Sequence, residues 1–214
     1  YDIDIDNLKC PKSRTSPLEH NCSGKHAAFL ATCKKMNWPL DSYLKGDHPL
    51  QIEIFRIISE LLEIPASEIN AERDDCGAPT LYLKLLQMSK LYSLLSSSEN
   101  AELEQISRAI TTNPIMISDN NKFDTEIIKA SHGQVIGKGG AEGIQCLCKV
   151  NEGIGLALKV EDGSKRAKHA VSLHLLKQLE WISDLRVQDI EEKIFNFSQG
   201  VRIEVKGQLK FQES

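Results

Sequence analysis

Two short alternating segments, Ile144–Val150 and Ile154–Val160, flank Asn151-Glu152-Gly153. No other feature constrains the fold as much. Each segment has strand length and strand composition, and the three residues between them suit a hairpin turn. Antiparallel pairing is therefore expected late in the chain. The segments before it carry helical periods instead. Residues 24–36 read as a helix ended by Asn37-Trp38-Pro39. Asp47-His48-Pro49 opens a second helix, with Asp47 as candidate N-cap and Pro49 in the first turn. Its apolar stripe runs through Leu50, Ile54, Ile57, Ile58, Leu61 and Leu62, and Pro65 closes it. Further helices are expected over 80–96 and 101–111, with a short one between Asp119 and Gly133. A long helix over 165–182 follows the hairpin, and Val201–Val205 alternates like a closing strand. Residues 1–22 show no period. Helices, then antiparallel strands, then a late helix suggest an α+β domain. We divide it into a mainly helical region, 1–112, and a sheet-and-helix region, 113–214.

Composition excludes some functions. A net charge of -4 gives no general electrostatic reason to bind nucleic acid or an anionic membrane. No apolar run approaches the roughly 20 residues that cross a bilayer. The six cysteines, at 10, 22, 33, 76, 146 and 148, lack the pattern of a small secreted domain. They read as reduced thiols or metal ligands, so a cytoplasmic setting is expected.

Three stretches carry chemistry. Asn21-Cys22-Ser23-Gly24-Lys25-His26 places a thiol, a hydroxyl, an amine and an imidazole at a helix start. The free N–H groups and dipole there favour a thiolate at Cys22, and the Lys25 cation adds to the effect. Thiolates are preferred ligands of zinc, whereas lysine ligates only as the neutral amine. Arg73-Asp74-Asp75-Cys76-Gly77 supplies a second thiol, and Asp74 and His26 are placed to orient ligands or substrate. Cys22 and Cys76 lie 54 positions apart without a C-x-x-C pair, so spacing alone favours reading them as small buried hydrophobes. Gly137-Lys138-Gly139-Gly140-Ala141-Glu142-Gly143 can bring backbone N–H groups and Lys138 close to a ligand, but it lacks the P-loop pattern. As a bare glycine-rich turn it would leave Lys138 solvated. Ser42-Tyr43-Leu44-Lys45 matches S-x-x-K by letter only, among helix breakers. Cys146 and Cys148 share one strand face and read as packing, and His48 reads as a surface residue.

Asn21–Ala27, Asp74-x-Cys76-Gly77-x-Pro79, Lys138-Gly139-Gly140-Ala141-Glu142-Gly143 and Ala157-Leu158-Lys159-Val160-x-Asp162-Gly163-x-x-Arg166-Ala167 occur in this order. His48-Pro49-x-Gln51 and Phe123-Asp124-Thr125 accompany them. Together they resemble the rhizobial-type, thermolabile L-asparaginases over about residues 10–205. The resemblance implies a fold like serine β-lactamases and glutaminases, with an antiparallel sheet flanked by helices. It implies hydrolysis of L-asparagine to L-aspartate and ammonia by a serine–lysine acyl transfer. A zinc ion at Cys22, Lys25 and Cys76 is implied, orienting substrate rather than generating the nucleophile. Substrate contacts fall on His26 and Asp74, and Lys138 becomes the catalytic lysine that partners the nucleophilic serine. A homodimer acting on a small-molecule substrate is expected.

The chain departs from that pattern in three places. The family's S-x-x-K nucleophile and its second serine segment would precede Tyr1, so an N-terminally truncated form carrying the metal and substrate half is expected. Asp75 stands where the family has glycine, and Asp119-Asn120-Asn121-Lys122 stands where it has a G-x-G-R-like segment. Two rival readings remain: a non-catalytic zinc- or amino-acid-binding descendant of the fold, and a helical domain with incidental cysteines.

Overall fold

A computed structural model describes residues 18, 20–195 and 203–210. Cys10, most of the aperiodic N-terminal stretch and the first two residues of the expected closing strand lie outside them. The chain forms an α+β structure in two compact units, residues 1–82 and 83–214.

The first unit begins with α1 (Ser23–Met36), starting where the sequence places it. Asn37 ends it in the left-handed region, with Lys34 and Lys35 in the last turn where cations suit the helix dipole. Helix α2 (Pro49–Leu62) is capped by His48, not by Asp47. The His48 Nδ1 accepts from the Leu50 N–H at 3.1 Å, and its Nε2 lies 3.0 Å from the Pro39 carbonyl. His48 is therefore buried at 3% exposure, contrary to the surface position read from its proline neighbour. A single turn of 3-10 helix, Ala66–Glu68, leads to a small hairpin of β1 (Ala71–Arg73) and β2 (Pro79–Leu81). Ala71 pairs with Leu81, Glu72 with Thr80 and Arg73 with Pro79. The expected helix over 80–96 thus starts late, as α3 (Leu85–Ser96). Backbone pairing to β1 claims 79–81 before a helical turn can form.

In the second unit α3 and α4 (Ala101–Thr112) precede a short α5 (Ile115–Ser118) and α6 (Phe123–Ala130). An antiparallel sheet follows, ordered β3 (Val135–Gly139), β4 (Ile144–Lys149), β5 (Ile154–Lys159). The hairpin at 151–153 is as expected. β3 is an addition, because its glycines hide a strand whose valine and isoleucine are fully buried. The long late helix divides in two. α7 (Lys165–Gln178) ends at its cap Leu179, Glu180 takes a positive φ of 56°, and α8 (Asp184–Ile194) follows. Ile203–Val205 forms no strand.

The core of this unit joins Phe123, Ile127, Val135, Leu147, Leu173, Leu176, Trp181 and Ile190. Each large aliphatic side chain buried there contributes about 1.5–3 kcal/mol. Lys193 on α8 also reaches Glu126 on α6 at 2.7 Å. Its side chain is 54% exposed, so that pair contributes at most about 1 kcal/mol. Apolar packing, not the ion pair, holds α8 in place. Cys146 and Cys148 share one face of β4, as their alternation suggested, and both faces are buried, with Gln145 and Leu147 on the other; burial pushes the two thiols up to about 11 and about 12. No helix among the described residues is long and apolar enough to cross a membrane.

Candidate functional site

Three segments of the first unit converge: the residues entering α1, its first turn, and the loop between β1 and β2. The loop is built around Asp74. Its Oδ1 accepts from the N–H of Cys76 at 2.8 Å and of Ala78 at 3.0 Å. The Asp74 N–H donates to the Ala78 carbonyl at 2.9 Å, which closes the turn. Gly77 takes the required positive φ of 79°. Asp75 is not among the positive-φ residues, so an aspartate in place of the family glycine introduces no backbone strain.

The other carboxylate oxygen of Asp74 accepts from Lys25 Nζ at 2.5 Å. Burial raises the Asp74 carboxyl, but the Lys25 hydrogen bond and the two backbone donors outweigh it and hold it below the usual carboxylate range. For Lys25, burial pulls the amine down, and the Asp74 hydrogen bond and charge more than reverse this. Lys25 is thus an ammonium paired with Asp74.

Cys22, Cys76 and His20 form the second part of the site. Their ligand atoms all lie within 4.8 Å of one another, and all three residues are half-buried. The Cys76 thiol is pushed up, first by its hydrogen bond with the Cys22 thiol, then by burial. Two sulfurs within hydrogen-bond reach of each other form a donor pair that a dication would satisfy. Residues present therefore fit zinc. His20 is the member that sequence reading missed. Its only signal was its position two residues before Cys22, in a stretch without periodicity. The N–H of Cys22 donates to His20 Nδ1 at 3.0 Å, which holds the imidazole beside the thiol.

His26 lies one turn into α1. Its Nδ1 is 2.7 Å from the Tyr43 hydroxyl, and its ring meets Tyr43 and Phe29 edge-on. That support fixes the ring and leaves Nε2 for another partner.

Lys138 belongs to the second unit. It sits on β3 opposite Cys146, is exposed, and donates to the Gly139 carbonyl at 2.5 Å. The turn after it is held from below. Lys168 on α7 is only 5% exposed and donates to the carbonyls of Gly140 and Ile144, each at 3.0 Å. Burial lowers its amine, and the charge of Asp124 opposes this. Asp124 accepts from the Gly139 N–H and from Gln145 Nε2, both at 2.8 Å. A Cβ at Gly139 would lie 2.7 Å from Lys168 Nζ and 3.1 Å from Gln145 Oε1. A side chain at the second glycine of the motif would therefore displace the Lys168 ammonium. The buried Lys168–Asp124–Gln145 cluster was not legible in the sequence, since its members are 21 and 23 positions apart along the chain.

The segment Asp119–Lys122 keeps a glycine-like path without glycine. Asp119 has φ 73° and ψ 171°, and Asn121 has φ 57°. A cavity of about 570 Å³ between α7 and α8 is lined by Leu173, His174, Val187 and Phe195 and contains none of the motif residues.

A family model described as L-asparaginase II matches residues 4–211. No curated protein matches the chain.

Proposed function

The chain belongs to the L-asparaginase II family, and from that premise we propose that it serves the hydrolysis of L-asparagine to L-aspartate and ammonia. The observation that carries the proposal is the convergence of Cys22, Cys76 and the Lys25–Asp74 pair from segments about 50 residues apart. A stability role alone does not call for two facing thiols and a half-buried ion pair. Each costs desolvation that apolar side chains would avoid.

In this reading the thiolates of Cys22 and Cys76 would hold a zinc ion, and that ion would supply an electrophilic anchor for the substrate. Asp74 holds the 74–78 loop through two backbone N–H groups and Lys25 through its second oxygen. The Lys25 cation and the supported His26 ring position the charged ends of asparagine. Lys138 takes the role of the lysine that partners a serine nucleophile. That serine attacks the amide carbon, ammonia leaves, and water then releases aspartate from the acyl-enzyme. Helices flanking the β3-β4-β5 sheet support an architecture like the serine β-lactamases. A thiolate site requires reduced cysteines, which supports a cytoplasmic enzyme; we assign it a homodimer.

The test measures zinc content and asparagine-dependent ammonia release for this chain and for a form extended upstream to the natural start codon. Zinc in both forms and ammonia release from the extended form are the expected results. Zinc without ammonia release from the extended form would replace the hydrolase with a non-catalytic binding domain. Absence of both would return the cysteines to a packing role.

A further inference from the structure

We infer that Lys168 is a positioning residue for Lys138: from the opposite face of the β3-β4-β5 sheet, its buried ammonium fixes the peptide groups that seat the Lys138 amine. The inference rests on the role given to Lys138 above and names what holds that amine in place.

Register and alternation put the two lysines on different sides of the sheet. Lys138 pairs with Cys146, and Gly139 pairs with Gln145. Successive strand residues point to opposite faces. Lys138 therefore shares a face with Cys146, and the open side of Gly139 shares the other with Gln145. Lys168 and Asp124 border that open side. A Cβ on Gly139 would lie 2.7 Å from Lys168 Nζ and 3.4 Å from an Asp124 carboxylate oxygen. Lys168 thus acts on Lys138 through the backbone.

The route is short, since three consecutive peptide groups follow Lys138. The first donates the Gly139 N–H to Asp124 at 2.8 Å. The second offers the Gly139 carbonyl to Lys138 Nζ at 2.5 Å and donates the Gly140 N–H to the Ile144 carbonyl at 2.9 Å. The third presents the Gly140 carbonyl to Lys168, which also donates to the Ile144 carbonyl, both at 3.0 Å. Lys168 therefore holds two neighbours of the peptide that seats Lys138: the next carbonyl along the chain, and the acceptor of that peptide's own N–H. Gly139 and Gly140 have no side chain to restrict their rotation, so these hydrogen bonds set the path of the turn.

Stability alone is a poor reason for this cluster. Lys168 and Asp124 are each more than nine-tenths buried, and burying charge costs desolvation that an apolar side chain of the same length avoids. Gln145 Oε1 borders the same spot and is buried without a hydrogen-bond partner among the described residues, which adds to the cost. Proteins break such rules at functional sites.

The test measures asparagine-dependent ammonia release in the form extended upstream to the natural start codon, and the state of Lys138 in the chain itself. Lys168→Met keeps the side-chain length and removes the donor. A displacement of about 1 Å at a reacting group costs on the order of 100-fold in rate, so kcat is expected to fall by that order. KM should change less than about twofold, because the residues assigned to substrate lie in the first unit. Lys168→Ala removes Cγ, Cδ, Cε and Nζ. Added n-propylammonium supplies those atoms and should raise the kcat of this variant, whereas uncharged 1-propanol of the same size should not. In the chain itself, acylation of Lys138 by a soluble succinimidyl ester, read by peptide mass spectrometry, should be faster in Lys168→Met than in the wild type.

Wild-type kcat in Lys168→Met, or a change confined to KM, would overturn the assignment. Equal rescue by 1-propanol and n-propylammonium would do so too, because it reduces Lys168 to packing. Should Lys168→Met not fold, Gly139→Ala displaces Lys168 Nζ without altering it. The same loss of kcat is expected there, and an unchanged kcat would overturn the assignment. If the extended wild type releases no ammonia, the hydrolase reading falls, and the acylation of Lys138 decides this inference separately: a faster rate in Lys168→Met upholds it and equal rates overturn it.

Discussion

His169 makes the stability of the second unit depend on pH in a defined window. Its ring stacks on Phe123 at a centroid separation of 4.0 Å and an interplanar angle of 12°. Burial, reinforced by the neighbouring Lys168 charge, pushes the imidazole down from 6.5 to about 4, with Asp124 opposing. The Phe123 face offers an imidazolium a cation–π attraction of about 0.5–1 kcal/mol, too little to offset that burial. Between pH 4 and 6.5 the unfolded chain therefore carries a proton on this residue that the folded chain refuses. Stability is full above 6.5 and falls as pH drops toward 4. At about 1.4 kcal/mol per pH unit the ceiling is roughly 3 kcal/mol. A half-buried ring with some access to water brings the expected loss to about 2 kcal/mol at pH 4.5. Asp74, held below its ordinary 3.8, retains its contribution throughout this window and loses it only as pH falls further. The assay is urea unfolding between pH 4.5 and 7.5, read from Trp181, which lies in the same core at 7% exposure. A Trp38→Phe background removes the only other tryptophan. His169→Gln should flatten the pH profile of the wild type while losing some stability at pH 7 with the stack. Parallel profiles for the two proteins would refute the reasoning.

Two further predictions concern the backbone. A Cβ on Gly155 would lie 2.1 Å from the Ser89 carbonyl oxygen and 2.3 Å from the Ser93 nitrogen. Gly155→Ala should therefore cost about 3 kcal/mol or more, because helix backbone cannot give way as a side chain does; an unchanged urea midpoint would show that α3 is not seated on β5. Asp119 occupies a φ, ψ region that glycine alone enters without strain. Asp119→Gly should stabilise the protein by about 1 kcal/mol, less the loss of the 2.7 Å hydrogen bond its carboxylate accepts from the Asn120 N–H, and a lower thermal midpoint would count against the strain.

What was legible in the sequence was local. The start of α1, the stripe of α2 and the 151–153 hairpin each follow from residues within one or two turns of each other. So does the clustering of reactive groups at residues 22–26, since a helix start and its side chains are neighbours along the chain. Errors arose where a distant partner outbid a local preference. Residues 79–81 have a helical period but pair with β1, and β3 is a strand because β4 supplies its hydrogen bonds. His48 looks exposed beside a proline, yet the Pro39 carbonyl and the Leu50 N–H bury it. The candidate site divides along the same line. Cys22, Lys25 and Cys76 were named from the resemblance of their motifs to a family, since spacing alone favoured packing for the two cysteines. That Asp74 takes the Lys25 ammonium, that His20 faces the two thiols, and that Lys168 holds the turn after Lys138 were decided by tertiary structure. A hydrogen bond or an ion pair between residues tens of positions apart leaves no periodicity in the chain; it exists only once the backbone has brought its two ends together.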